Sequence, residues 1–422
     1  MRLRPIFSPN PFYPMATIYF AKWILLPSGE LLHGGAVSVE GNRICSVAAR
    51  GKINRRANDY SVNLGDMLLM PGLINMHMHL EEGVVRAYPK DLEETFASWL
   101  AKKNSRIRQA LAGTVEASII LGARELLSHG ITTVVDNSRT GLSARALANV
   151  PIRRCIIREV HPDDAATEEE AIAAAQSTPE ARDGIKTSGI GPYALFSLSP
   201  ANHRALIEEA AHSGLLWLAH MAESSEELQA FSEQKGDLYF HIIRKKGWPY
   251  GAAAAGSMAY ALDHNLIADG GVCVHCNYVN GEELRRLAEK NVSIVQCFQY
   301  TSALGHKPFP LDSARSRGVR ICLGTESIVY SESMDLFDEL NFARRLYPHV
   351  PAAEMLQWVT SNPARALDAQ GVLGCLAQGA LADIIGVSPR SDSPDDVLEQ
   401  LIVGEADVRL VVVDGEEVIS NY

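Results

Sequence analysis

With 422 residues, 47% of them apolar and 21% charged, the chain can bury one large core plus a smaller module and has an ordinary globular-enzyme composition. Its formal net charge of −11, with no Lys/Arg-rich run, argues against nucleic acid and anionic lipid as partners. No apolar stretch approaches the ~18 residues that a bilayer span requires.

Residues 1–15 carry prolines at 5, 9, 11 and 14 and no continuous apolar run, so they fail as a secretory signal. They read as an N-terminal arm, and Met15 is an alternative start. The seven cysteines are odd in number and scattered through apolar runs, which fits a reducing cytoplasm. Cys273 and Cys276 fall on one predicted strand, where three-residue spacing turns the thiols to opposite faces, so both are expected to be buried and structural.

From residue 16 to 70, short alternating segments are broken by Gly-containing turns, which is the pattern of hairpins. The same texture returns over 371–422, with an Asp-Gly hairpin signal at Asp414-Gly415. Each end is too small to fold alone. Together they predict a discontinuous β-sandwich, 16–70 plus 371–422.

Between them lie eight short apolar runs, at 68–80, 131–136, 152–160, 185–196, 215–223, 271–279, 292–300 and 319–327. Amphipathic stretches such as ANHRALIEEAAHSG and GEELRRLAEKN fill the gaps. Eight strands alternating with helices predict a (β/α)₈ TIM barrel over 71–370, within an α/β fold, rather than an open doubly wound sheet.

In such a barrel the C-terminal ends of the strands form the catalytic face, and four histidines sit there. His77 and His79 are two apart on the first strand and so project to one face. His220 closes the fifth strand, His275 lies on the sixth, and Gly324-Thr325-Glu326-Ser327 brings a carboxylate to the end of the eighth. A lone histidine is usually a satisfied buried side chain. Several imidazoles and an acid converging at one rim instead suit Zn²⁺ or Fe²⁺ with a position open for water.

These residues resemble the amidohydrolase superfamily, in the branch of cytosine, adenosine, guanine and triazine aminohydrolases. Pro71-Gly72-Leu73-Ile74-Asn75-Met76-His77-Met78-His79-Leu80 looks like its opening strand motif, and Gly130-Ile131-Thr132-Thr133 like its second strand. His220-Met221-Ala222-Glu223 looks like its H-x-A-E motif, while Asn362–Leu367 and Gly379–Asp383 resemble the segments leading back to the terminal module. Phe96–Trp99, Gly305–Pro310 and Asp335–Phe337 are closest in texture to aminodeoxyfutalosine deaminases.

The resemblance implies that His77, His79 and His220 hold one divalent metal, zinc or iron, with Glu326 as a further ligand or as a base. Glu223 would shuttle protons, with a pKa raised by apolar surroundings. Its alternative role is that of an acid at a helix start. His275 would steady the water or the substrate oxygen, and Glu81, Trp99, Tyr193 and Gln296 would contact substrate. A metal-bound hydroxide would then cleave a C–N bond, deaminating a small nitrogen heterocycle or amidine. Hydrolysis of a cyclic amide or another leaving group, and a catalytically silent ligand-binding relative, are the alternatives. The expected partners are a small-molecule substrate and, as an open alternative to a monomer, a second copy in a homodimer.

Lys186 opens the fourth strand rather than ending it, which argues against a lysine-bridged pair of metals. Three positions depart from the family pattern. Glu326 stands where Asp is usual, Tyr193-Ala194-Leu195-Phe196 replaces His-Ala-Pro-Tyr, and Val295-Gln296-Cys297-Phe298 replaces Val-His-Cys-Pro. At a site that needs exact placement, the longer arm of Glu326 threatens to displace its carboxylate from the metal.

Overall fold

The computed structural model describes residues 15–86, 90–91, 94–161, 185–252, 256–330, 333–389, 393–404 and 406–422. The arm expected over 1–14 lies outside them. The chain divides into two units, one spanning 1–72 with 371–422 and the other 73–370.

In the first unit the strands are β1 (Thr17–Leu25), β2 (Leu31–Glu40), β3 (Arg43–Ala49), β4 (Tyr60–Asn63), β5 (Leu68–Pro71), β14 (Ile384–Ser388), β15 (Asp407–Val413) and β16 (Glu416–Ser420). They form one mixed sheet in the order β16-β15-β14-β5-β1-β2-β3, with β4 also paired to β1. The sheet closes over itself. Tyr19 on β1 donates from its hydroxyl to Glu417 on β16, and Asn42 after β2 donates to Asp414 after β15. Tyr19, Ile24, Val37, Ile44, Leu69, Ile384, Leu410 and Val412 pack inside. The packing is that of a sandwich, but hydrogen bonding runs through a single sheet. At the β15–β16 turn Asp414 and Gly415 both have positive φ, 52° and 82°, as a two-residue hairpin with this twist requires.

The apolar run 68–80 is two strands, parted at Gly72. β5 belongs to the terminal sheet, and β6 (Leu73–Met78) opens the second unit. The following strands are β7 (Ile131–Ser138), β8 (Arg153–Val160), β9 (Ser188–Pro192), β10 (Leu216–Met221), β11 (Val272–His275), β12 (Ser293–Gln296) and β13 (Arg320–Leu323). All eight pair in parallel, in sequence order. Met78 bridges in parallel to Glu326, just past β13, which brings the first and last strands together. The fold is therefore a (β/α)₈ barrel. Most barrel strands are buried on both faces, as helices covering a parallel sheet demand.

Helices occupy the amphipathic stretches, among them Pro200–His212, Gly281–Glu289 and Leu336–Leu346. Asn280 and Glu283 form a reciprocal capping box at the second of these. Among the described residues no helix is long and apolar enough to cross a membrane.

One expectation about the cysteines fails. β11 ends at His275, and Cys276 follows in left-handed backbone with φ 54°, so the strand alternation that would turn the two thiols to opposite faces does not reach Cys276. Both remain buried and unlinked.

Candidate metal centre and catalytic site

β6 delivers His77 and, one residue beyond its end, His79; the two-residue period of a strand puts both imidazoles on the same side. β10 delivers His220. Nε2 of His220 lies 3.1 Å from Nε2 of His77 and 3.4 Å from Nε2 of His79. Glu326 completes the group, with Oε2 2.9 Å from His77 Nε2 and Oε1 3.6 Å from Nε2 of both His79 and His220. All four side chains are buried, and one potential ligand atom from each lies within 4.8 Å of the others.

The Gly-Thr-Glu-Ser corner explains how the last strand reaches the first. A Cβ on Gly324 would fall 2.6 Å from the carbonyl oxygen of His77 and 2.8 Å from its Cβ, so only glycine permits this approach. Thr325 N and Glu326 N both donate to the His77 carbonyl, His79 N donates to that of Glu326, and Asn75 donates to the Thr325 hydroxyl at 2.7 Å. Glu326 itself takes φ 57°. This backbone turn directs the longer side chain into the histidines. The longer arm thus brings its carboxylate up to the three histidines.

Neighbouring groups set the ring orientations. The Tyr193 carbonyl accepts from both N and Nδ1 of His220, at 2.9 and 2.6 Å, which turns Nε2 toward the cluster. Glu159, at the end of β8, places Oε2 3.7 Å from His79 Nδ1 and Oε1 2.5 Å from His161 Nε2. Asn137 donates to the same Glu159 Oε2.

The electrostatics call for a cation. Burial opposes charging His220, yet Glu326, Glu159 and Glu223 override it and raise its pKa to about 9. Burial likewise opposes ionisation of Glu326, and His77, His220 and His275 hold it well below the carboxylate range. Three imidazole nitrogens within 3.1–3.4 Å of their neighbours, facing a carboxylate, suit a divalent ion with borderline-soft ligands. Lys186 stands apart from this group. It precedes β9 and pairs with Asp368 at 3.2 Å.

Glu223 follows β10 through Ala222, which has φ 49°. Both turn amides are held by the buried carboxylate of Glu227, which accepts from Ala222 N and Glu223 N at 2.9 Å each. The side chain therefore serves neither as N-cap nor as helix-start acid. Ser224 caps the helix Ser225–Ser232, and the Glu223 carboxylate turns into the barrel mouth. There Tyr300 donates to its Oε1 at 2.8 Å, with His275 Nε2 at 3.8 Å and His306 Nε2 at 3.6 Å. His275 Nε2 also lies 3.5 Å from Glu326 Oε2. The expectation of a raised Glu223 pKa is corrected. Burial pushes it up, but His275, His306 and His220 outweigh that and bring it to about 2.

The other anticipated contacts separate. Glu81 is buried and accepts from Arg139 N, Thr140 N and the Thr140 hydroxyl, so it braces the segment after β7. Trp99, Tyr193 and Gln296 do border the mouth. Trp99 packs edge-on against Tyr330, whose ring meets Tyr300. The Tyr193 ring lies between those of His220 and His161. Gln296 donates to the His275 carbonyl, holding that residue in its left-handed conformation of φ 71°. A cavity of about 410 Å³ opens beside Tyr193, His161, Asn104 and Phe196.

Glu159, His161, Tyr300 and His306 escaped the sequence reading. Only Gly305-His306 lay in a segment singled out there; the others sit in runs that read as ordinary strands or helix starts. Several buried polar atoms without a hydrogen-bond partner belong to residues around this mouth: Glu82 Oε2, Trp99 Nε1, the Tyr193 hydroxyl, Glu223 Oε2, His275 Nε2 and His306 Nε2. Elsewhere such atoms are costly, and grouped at a barrel mouth they mark the place of a ligand.

The profile of the Amidohydrolase family matches residues 68–418. The 5-methylthioadenosine/S-adenosylhomocysteine deaminase of Moorella thermoacetica is 26% identical over 415 residues, covering 93% of this chain and 92% of its own. An adenosine deaminase from Xanthomonas campestris with bound zinc superimposes with a TM-score of 0.83 at 21% identity, covering 97% of this chain and 94% of that one. The aminofutalosine deaminase of Helicobacter pylori in complex with methylthio-coformycin does so with 0.82 at 19% identity, covering 96% and 100%.

Proposed function

The chain belongs to the amidohydrolase family, as a hydrolase of C–N bonds other than peptide bonds, and we propose that it deaminates a 6-aminopurine nucleoside or a close analogue. The observation that carries this reading is Glu223. Its carboxylate stands within 3.8 Å of His275 and 3.6 Å of His306, is fixed by Tyr300, and lies beside the histidine–Glu326 cluster.

His77, His79, His220 and Glu326 would hold one zinc ion. Bound there, zinc supplies Lewis-acid activation of a water molecule. The chain's own groups manage the protons. Glu223, ionised and with Oε2 unengaged, accepts one proton from the water and delivers it to a ring nitrogen; the proton left on the attacking oxygen then passes by way of the neighbouring carboxylates to the amino group, which departs as ammonia as the C–N bond breaks. Glu326 Oε2, 3.5 Å from His275 Nε2, lies where the two side chains share the attacking oxygen's hydrogens. Tyr300 orients Glu223, and Gln296 orients His275 through its carbonyl.

Trp99, Tyr330 and Tyr300 supply aromatic surface for a flat heterocycle. The close relation of Glu326 to His77 favours hydrolysis over silent binding. The seven unlinked thiols support a cytoplasmic setting. The test is ammonia release from adenosine and 5′-methylthioadenosine by the zinc-loaded protein. Release that disappears in Glu223→Gln is the expected result, and no release from either compound overturns the assignment.

A further inference from the structure

Glu82 lies three residues beyond His79, on the 3₁₀ turn Leu80–Val85 that leaves the metal cluster. Its Oε1 is 2.6 Å from Nζ of Lys103, on the helix Phe96–Gln109, and the two side chains are only 5% and 3% exposed. Lys103 Nζ sits 4.7 Å from the centroid of the Trp99 ring and 6.0 Å from that of Tyr193. The pair is thus enclosed by the aromatic groups that border the catalytic mouth. Burying two charges costs several kcal/mol in desolvation, and an apolar pair of the same volume is often as stable. Nothing in the packing of this helix demands ions.

The hydrogen bonding is also incomplete. Glu82 Oε2 is buried and without a partner, as are Trp99 Nε1 and the Tyr193 hydroxyl on the two rings nearest Lys103 Nζ. Neighbouring Glu81, in contrast, is fully engaged by the segment after β7.

We propose that Glu82, held by Lys103, is the specificity anchor for the substituent of the heterocycle, its second oxygen accepting a hydrogen bond from a hydroxyl group on that substituent. This rests on the reading of the mouth as a nucleoside-type deaminase site. Lys103 neutralises the carboxylate and would repel a cationic donor, which selects an uncharged hydroxyl over an ammonium. Trp99 Nε1 and the Tyr193 hydroxyl supply further polar contacts around the same group. A ligand without the hydroxyl leaves a buried carboxylate oxygen unsatisfied, and a charge-assisted hydrogen bond of this kind is worth roughly a tenfold to hundredfold preference.

The experiment is calorimetric titration of the zinc-loaded full chain with purine riboside and with 9-methylpurine, which lacks hydroxyls. The parent should bind the riboside at least tenfold more tightly. In Glu82→Leu/Lys103→Met, where an apolar pair replaces the ions, the ratio of the two dissociation constants should fall to within twofold of one. Glu82→Gln keeps the volume but loses the charge, and should reduce the ratio at least threefold; it decides the matter should the double variant not fold. A parent without preference, or a foldable variant that keeps the parent's ratio, overturns the inference. Ammonia release from adenosine, measured on the same preparations, reports separately on the deaminase reading.

Discussion

The carbonyl oxygen of Tyr193 lies 2.6 Å from Nδ1 of His220, so the residue at the end of the fourth barrel strand fixes the tautomer of the histidine on the fifth. The bond is made by the backbone of Tyr193, so it does not depend on the side chain at that position. With Nδ1 committed, Nε2 is the His220 nitrogen that faces Nε2 of His77 and His79. The purified protein should bind about one equivalent of zinc, read by elemental analysis. His77→Ala or His220→Ala should reduce zinc occupancy well below one equivalent, because one of the three imidazoles is lost.

Glu159 tests the support of the cluster. Its Oε2 approaches Nδ1 of His79 at 3.7 Å, and partners in that position typically change metal affinity by about 10- to 100-fold. Glu159→Gln should weaken zinc binding by that order in competition with a chelator while leaving the fold intact by circular dichroism. An affinity equal to the parent's would show that His79 needs no such partner.

Glu326 combines two roles that substitution can part. Glu326→Gln retains an oxygen near the histidines but cannot accept a proton, so turnover should fall by at least about 100-fold with much of the zinc retained. Glu326→Asp draws the carboxylate back from His77, from which Oε2 now stands at 2.9 Å, and should lower both metal affinity and rate. Parent rates in both variants would remove Glu326 from the reaction.

Tyr300→Phe removes the hydroxyl that donates to Glu223 Oε1 at 2.8 Å. A hydrogen bond to the ionised form favours it, so its loss raises the Glu223 pKa. The ionised carboxylate is the working form. The acidic limb of the kcat/KM profile should therefore move to higher pH, while the rate at neutral pH, where the carboxylate stays ionised, changes far less. A shift to lower pH would contradict the placement of this proton.

Glu339 gives a pH dependence of stability outside the metal site. It is fully buried, and although Phe298 N, Gln299 N and the Gln299 side chain donate to it, burial dominates and raises its pKa from 4.5 to about 8. The folded state therefore retains a proton that the unfolded chain has lost. Its contribution is full below about 4.5 and disappears as the pH rises through about 8. Glu339→Gln imitates the protonated acid, so its stability relative to the parent, from urea melts, should grow between pH 5 and pH 9. A constant difference across that range would show that the group titrates alike in both states.

Much of this protein was readable from local pattern. The eight apolar runs, the two-residue spacing of His77 and His79, the H-x-A-E segment and the Gly-Thr-Glu corner are all short-range signals, since a strand's period or a single glycine decides where a side chain points. The barrel and the rim of histidines followed from them. What local pattern left open depended on side chains separated by dozens of residues. Whether Glu81 or Glu82 faces the mouth is decided by the 3₁₀ turn after His79 and by the arrival of Lys103 from one helix and Thr140 from another segment. Glu223 looked set for a raised pKa because its sequence neighbourhood is apolar and acidic. The fold brings His275 and His306 beside it from two other segments and reverses the sign. Glutamate at 326 looked too long until the left-handed turn at that residue and the bare Cα of Gly324 set its carboxylate against His77. Strand placement is set by hydrophobic periodicity along the chain; electrostatics and ligand geometry are set by which ends of which strands the closed barrel brings together.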